Sequence, residues 1–459
     1  MKIQVPEKVE FILNKLMENG YEAYAVGGCV RDSILHRVPG DWDITTSASP
    51  YEVKEIFRRT IDTGIQHGTV TVMLEKEGFE VTTYRLDGEY EDCRHPKKVE
   101  FTKSLEEDLK RRDFTINAMA YNDTEGMVDL FEGLEDIKRK RIRCVGSAMD
   151  RFEEDALRIL RAVRFSAQLD FEIEDLTREA ICNKAKNLAN ISAERIREEL
   201  NKLFLSKHPD HLMIAYETNI TGVVLPEFDA SNQKELIISR LLQLAKISDE
   251  SLELFDPKSS EFKTRKLTSK ERLCLAYAIV LGPSEEAEEV KDSLDSLTET
   301  WEGASKKLEQ RAKQVLRRLK FDNDTIHTVA RLLLFHNLTV EETRVSIRKA
   351  MNCIGTEFMD LWFLLQQLEV LGELNLKPQE ESLEVRKQHL AELHKHYQAS
   401  VHAKECVNLK MLAVTGKDLI GIGYQPGAQL GTTLNELLQH VLEVPEDNTQ
   451  EQLLKLANS

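Results

Sequence analysis

The sequence predicts an α/β head, a small mixed sheet with helices, followed by an all-helical neck, body and tail. Two observations carry this. Strand-like segments rich in Val, Thr, Ile and aromatic residues fall within the first 145 residues, and from Asp150 onward apolar residues recur at helical spacing. With 459 residues, 41% of them hydrophobic and 31% charged, the chain has material for several domains, and its composition excludes a disordered or collagen-like protein. No apolar stretch approaches the roughly 20 residues a bilayer span needs, so no membrane partner is expected.

In the first part, strands are expected at Glu22–Val26, Trp42–Thr45, Thr69–Leu74 and Phe79–Arg85, with a last one at Arg139–Val145. Helices are expected at Ile3–Asn19, Val30–Leu35 and Pro50–Arg58, and the alternation suggests a mixed sheet. Beyond it, Phe152, Ala156, Ile159, Leu160 and Val163 form one apolar helical stripe. Similar stripes run through Ala193–Leu205, Leu236–Ile247, Ala312–Phe335 and Phe358–Leu371. Phe255–Lys270 reads as a loop, a break falls near Pro378, and a Gly-rich turn within GKDLIGIGYQPGAQLG precedes a helix at Thr432–Leu442. The boundaries expected are 1–145 for the head, 146–215 for the neck, 216–375 for the body and 376–459 for the tail.

The net charge of −17 alone argues against a polyanionic partner, yet a footprint needs only local basic surface. Lys110-Arg111-Arg112, Lys138 to Arg143, and Arg158, Arg161 and Arg164 supply such clusters, while Ser284 to Val290 is acidic. Seven scattered cysteines without a C-x-x-C pair favour a reducing compartment. The acid-bearing, amphipathic start reads as neither a signal nor a transit peptide, so a cytoplasmic location is expected.

The chemistry begins at Ala25-Val26-Gly27-Gly28-Cys29-Val30-Arg31-Asp32, where a strand runs into two glycines and then a helical stretch. Glycine admits close approach of the backbone to a ligand, and a helix start offers free N–H groups to an anion. Gly27, Gly28 and Arg31 together suit a triphosphate, although most Gly-Gly pairs are simply turns. Asp41-Trp42-Asp43 follows 13 residues later. In a strand, residues i and i+2 share a face roughly 6.6 Å apart, so two carboxylates can converge on a hard cation such as Mg²⁺. Glu80 could add a third carboxylate from the next strand; the plain alternative is an exposed edge-strand acid. No Ser-His-Asp or Cys-His arrangement competes, and His394 and His396 read as solvent-facing helix surface.

The ordered set GGCVRD, DWDITT, FEVTTYR, RRDFTINAMA (Arg111–Ala120), DLFEGLED (Asp129–Asp136), EDALRILRAVRF (Glu154–Phe165) and ISAERIREEL (Ile191–Leu200) resembles the class II tRNA nucleotidyltransferases. These are the CCA-adding enzymes and bacterial poly(A) polymerases. The motifs occupy about the first 205 residues in family order, and the Gly-rich tail resembles the family's C-terminal region. The resemblance implies Mg²⁺ as cofactor, held by Asp41 and Asp43 with Glu80 as third acid, and CTP, ATP and the tRNA 3′ end as partners. It also implies that Asp113 accepts from the ribose 2′-hydroxyl, with Arg112 and Asn117 supporting phosphates and sugar.

Asp155 and Arg158 lie at i and i+3, where a helix makes them neighbours; Glu154 and Arg161 fall near the same stripe. An intrahelical ion pair is the plain reading. The resemblance implies instead a protein template: a carboxylate only accepts and a guanidinium only donates, which matches the amine and ring nitrogen of C and A and opposes U and G. Leu86–Glu100 resembles the loop that A-adding family members retain, a resemblance that argues against CC-only addition and leaves CCA addition, A-only addition after CC and poly(A) synthesis open. Leu275–Gly282 and Phe335-His336-Asn337 stand where some family members carry His-Asp metal dyads, so the body is expected to be a degenerate HD-like structure without phosphohydrolase activity.

Overall fold

The computed structural model describes residues 2–87, 99–247, 267–282, 292–293 and 304–458. Most of the loop Leu86–Glu100, most of Phe255–Lys270 and the acidic run Ser284–Val290 therefore lie outside the described residues. The chain forms two compact units, Met1–Asp229 and Ala230–Ser459.

The first unit holds a seven-stranded mixed sheet. Its strands are β1 (Ala23–Val26), β2 (Ile44–Thr46), β3 (Thr60–Gly64), β4 (Thr69–Leu74) and β5 (Glu77–Thr83), then, after a separate pair β6 (Arg85–Asp87) and β7 (Val99–Phe101), β8 (Met119–Asn122) and β9 (Gly126–Asp129). The order is β3-β4-β5-β2-β1-β8-β9, and only β2 and β5 run parallel. Both faces of β1 are buried because the chain supplies a cover for each. Helix α1 (Glu7–Glu18) lays Val9, Ile12, Leu13 and Leu16 against Ile44, Val70, Val72 and Val81. On the other face Tyr24, Val26 and Ala120 meet Leu109 of a later helix.

Helices α2 (Gly28–Ile34), α3 (Pro50–Ile56), α4 (Leu105–Lys110) and α5 (Gly133–Lys138) complete the head. The start of α3 is fixed by a capping box between Ser49 and Glu52. The segment Arg139–Val145 is not a strand of the main sheet: Arg141–Ile142 pairs with Glu172–Ile173, and Cys144 makes an isolated bridge with Phe114. The strands β3, β8 and β9 were not legible, since RRDFTINAMA carries apolar residues at helix-compatible spacing but folds as a short 3-10 turn, Thr115–Asn117, leading into β8.

The helical part of this unit contains α6 (Ala148–Glu154), α7 (Leu157–Leu169), α8 (Asp175–Lys184) and α9 (Ala193–Phe204). The stripe Phe152, Ala156, Ile159, Leu160 and Val163 is fully buried, as its spacing requires. The helix expected across it is nevertheless broken. Asp155 is extended (φ −139°, ψ 102°) between α6 and α7, outside both helices, although its carbonyl accepts from the Arg158 N–H at 3.0 Å.

In the second unit the helices include Lys234–Lys246, Ser269–Leu281, Asn323–Leu334, Met359–Leu376, Glu381–His402 and Ala428–Glu443. Thr268 caps the second of these, so Ser269 and Lys270 are helical, contrary to the loop expected there. Met359–Leu376 is apolar nearly all round and correspondingly buried, with Trp362, Phe363, Leu364, Leu365 and Leu368 inside. His394 corrects another expectation. It is buried, not solvent-facing, between Phe363 and Tyr397, and burial pushes its pKa down; His396 is half-buried. Leu390, Leu393, His394 and Tyr397 occupy one i, i+3, i+4, i+7 stripe, which is the pattern that places it there.

Candidate active site

Gly27 ends β1 with φ +82° and caps α2. A side chain there would be strained, and its Cβ would stand 3.1 Å from Nη1 of Arg112. The Val26 N–H donates to the Asp43 carbonyl at 3.0 Å, which ties the glycine turn to the D-x-D segment. Asp41 and Asp43 lie just before β2 rather than within it, and both are exposed. Water lost to the surrounding protein raises the Asp43 carboxyl pKa; Arg112 opposes this, and the like charge of Asp41 adds to it. Two oxygen donors whose mutual repulsion a cation would relieve are a fitting donor set for Mg²⁺.

The parallel register Ile44↔Val81 carries Asp43 alongside Glu80, whose side chain is exposed on β5. Among the described residues no group of three His, Cys, Asp or Glu side chains converges as a metal site. Asp41 and Asp43 are the residues here that could hold such a cation.

Thr45, two residues on from Asp43, donates to the fully buried Asp108 at 3.2 Å. Asp108 in turn accepts from Arg111 (2.7 and 3.0 Å) and Arg112 (3.3 Å). Burial would raise its pKa, but the two guanidiniums outweigh burial and lower it. Arg31 is buried: its Nη1 donates to Asn117 Oδ1 at 2.6 Å, its Nε to Asp32 at 2.9 Å, and it lies over the Phe165 ring. Asn117 passes the contact on by donating to Asp113 Oδ1 at 3.1 Å.

Arg112, Asp113, Asp155, Arg158 and Arg161 line one polar cavity of about 250 Å³, together with Arg111 and Arg195. Arg161 donates to Asp113 Oδ2 through Nε and Nη2, at 2.9 and 2.6 Å. Burial alone would raise the Asp113 pKa; the charge and hydrogen bonds of Arg161, with the Asn117 amide, outweigh it and hold the carboxyl well below the usual range. Asp155 accepts from the Leu157 N–H at 3.1 Å and is gripped by Arg195 of α9 at 2.6 and 3.2 Å. Arg158 does not pair with Asp155. It donates to Glu154 at 2.6 Å and to the carbonyls of Arg151 (3.2 Å) and Arg111 (2.9 Å). The two residues nonetheless share the cavity, presenting an acceptor-only and a donor-only group to it.

The residues missed by the sequence reading are Asp108, Arg195 and Glu199. Glu199 binds Arg164 at 2.8 Å while Arg164 stacks on Phe165 at 3.5 Å. A signal for Glu199 was available: it falls on the buried stripe Ile196, Glu199, Leu200, Leu203, where a carboxylate needs a partner. Nothing comparable marks Asp108 among the acids at its helix start.

Three family models match: the poly A polymerase head domain over residues 23–143, a probable RNA- and SrmB-binding site of polymerase A over 170–232, and a putative tRNA nucleotidyltransferase domain 2 over 293–457. The class is thus that of nucleotidyltransferases with a polymerase-type head and a helical remainder. The CCA-adding enzyme of Lactobacillus delbrueckii subsp. bulgaricus is 58% identical over 196 residues, 43% of this chain and about half the length of that protein (50%). That of Enterococcus faecalis is 34% identical over 450 residues, 97% of this chain and 94% of that protein. The chain belongs to the CCA-adding enzyme family. The Bacillus stearothermophilus CCA-adding enzyme in complex with CTP shares the fold with a TM-score of 0.71 at 28% identity, over 99% of this chain and 98% of that one.

Proposed function

We propose that the protein transfers CMP and AMP from CTP and ATP to the 3′ end of tRNA without a nucleic-acid template, building or completing the CCA terminus. The observation that carries this is the cavity shared by Asp155, Arg158, Asp113 and Arg112, tied through Asp108 to the strand that Asp41 and Asp43 lead into. The tRNA 3′-hydroxyl oxygen forms a bond to the α-phosphorus as the bond to the β-phosphate oxygen breaks, releasing pyrophosphate. Asp41 and Asp43 would hold Mg²⁺, which would favour the ionised hydroxyl and the departing charge. Gly27 lets Arg112 come close to the phosphates, and Asp113 takes the ribose 2′-hydroxyl.

Asp155 accepts from the exocyclic amine of C or A, and Arg158 donates to the adjacent ring nitrogen. A carboxylate has about four lone-pair positions, so Asp155 can keep Arg195 while it accepts from a base. Every charged group here already has a protein partner, so the nucleotide enters by exchanging hydrogen bonds rather than by filling bare charges. Uracil and guanine would leave donor facing donor and acceptor facing acceptor, which buried polar sites reject strongly.

The four-part division into head, neck, body and tail belongs to the same reading, with tRNA held along the helical parts through phosphates and duplex shape, and a cytoplasmic setting. No described helix is long and apolar enough to cross a membrane. Three tRNAs, ending before CCA, after the first C and after CC, each incubated with one of the four nucleotides and Mg²⁺, test the proposal. Extension of all three with C or A in turn is expected. Extension only after CC would make the protein an A-adding enzyme, and long A tails a poly(A) polymerase. UTP used as readily as CTP would end the Asp155/Arg158 reading.

A further inference from the structure

The second unit contains a cavity of about 720 Å³, within the size range of small-molecule sites. It is walled by the helices Lys234–Lys246, Met359–Leu376 and Glu381–His402 and by the segment after Phe335. Three buried ionisable side chains converge on it, Arg240 (3% exposed), His336 (7%) and Glu369 (4%). Burying charge is costly, and apolar residues of similar volume would stabilise a helical core at least as well. Such a cluster around a cavity marks a candidate binding site.

The charges do not balance. His336 Nε2 meets the Glu369 carboxylate, and its Nδ1 meets Asn337 Oδ1 at 2.7 Å. Burial works against protonation of His336, but the charge and hydrogen bond of Glu369 outweigh it and raise its pKa, and the contact between the two leaves Glu369 engaged by the imidazole. Glu373, by contrast, is shared by two guanidiniums, Arg240 at 3.2 Å and Arg386 at 2.7 Å. One carboxylate faces two cations, and the Nε of Arg240 has no hydrogen-bond partner. Exposed Lys377 and Glu235 at the rim offset each other. The place of Arg240 is built in: a Cβ on Gly372 would come within 2.6 Å of its Cγ, so glycine is what lets the arginine lie against that helix.

We propose that this cavity binds a small organic oxyanion, a phosphate monoester or a carboxylate, through Arg240 and Arg386, with Trp362 in the wall beside it. The site is separate from the nucleotide cavity of the first unit and does not depend on the function proposed above.

The chain has three tryptophans, Trp42, Trp301 and Trp362, so fluorotryptophan labelling of the full protein gives a local reporter. The Trp362 resonance is assigned with Trp362→Phe. Titrations use AMP, adenosine, inorganic phosphate and citrate. A saturable shift of Trp362 is expected with AMP or citrate at about 1 mM or below, a weak but real affinity. AMP alone would identify a phosphate monoester, citrate alone a carboxylate, and inorganic phosphate as effective as either would show that the oxyanion dominates recognition. The shift should be lost in Arg386→Gln, a rim substitution that leaves the core intact, and in Arg240→Gln. It should persist in Asp155→Asn, which alters the other cavity. No saturable shift with any anion, an equal shift with uncharged adenosine, or a shift retained in both arginine variants would each overturn the proposal.

Discussion

Arg195 on α9 holds both carboxylate oxygens of Asp155, 40 residues away in sequence, at 2.6 and 3.2 Å. The carboxylate proposed to read the base is therefore aimed by a helix distant in sequence that reaches the same cavity through Arg195. Arg195→Ala should leave the D-x-D acids untouched and lower kcat/KM for CTP and ATP by about one to two orders of magnitude, the effect of losing one charged hydrogen-bonding partner. Discrimination against UTP should fall as well. Arg195→Lys, which keeps the charge without the fork, should restore only part of it. Unchanged CTP/UTP discrimination in Arg195→Ala would show that Asp155 needs no such clamp.

Asp108 joins β2 to Arg111 and Arg112 from a fully buried position. Removing one member of a buried charge cluster strands the others, so Asp108→Ala should cost about 3–5 kcal/mol of stability, read from urea unfolding. Asp108→Asn should cost less and raise KM for both nucleotides, because Arg112 loses its anchor beside Gly27. A loss below about 1 kcal/mol in Asp108→Ala would mean the arginines find other partners.

Acid should weaken the first unit through Asp113 and Asp108. Both carboxyls have folded pKa values below their ordinary value, near 3.9 when unfolded. As pH falls, the unfolded chain takes up protons first, so the stabilisation is whole above about pH 5 and drains away below it toward the folded values. Urea midpoints measured from pH 7 down to about 3 should fall less steeply in Asp113→Asn than in the parent protein. Parallel curves would mean that Arg161 does not hold Asp113 in solution.

Asp41→Ala should fold normally, since the side chain is exposed, with a stability change of about 0.5 kcal/mol or less. It should lose incorporation of both CMP and AMP in the presence of Mg²⁺. Full incorporation by this variant would refute the assignment of the D-x-D acids.

Gly27→Ala forces a side chain into a positive-φ position and toward Arg112. Strain of about 1–3 kcal/mol is expected in unfolding measurements, along with a higher KM for CTP and ATP. Wild-type KM values would show that the turn yields without moving Arg112.

The sheet was legible where strands alternate or run β-branched, as in Thr69–Leu74, and illegible where they are short and follow helix-like spacing, as in Met119–Asn122. Local pattern also placed Asp155 and Arg158 on one helix, and the break between them was hidden because the apolar stripe continues through it without a Pro or Gly. Arg112, Asp113, Asp155, Arg158 and Arg161 of the polar cavity were found by motif. Their partners were not: Asp108, Arg195 and Glu199 act across 63, 40 and 35 residues of chain, and periodicity sees only near neighbours. The basic clusters shared that blind spot. Arg111, Arg112, Arg143, Arg158, Arg161 and Arg164 all have carboxylate partners, so a run of positive letters did not mean an open positive face.

Asp155 sits at a joint between two helices, with extended backbone on its own account. A residue in the middle of a helix cannot be exchanged without touching the regularity of the turns around it; a residue at a joint can. Rewriting the alphabet proposed for this protein would therefore begin at position 155, where a change of side chain gives up the contacts with the Leu157 N–H and Arg195 but no turn of either helix.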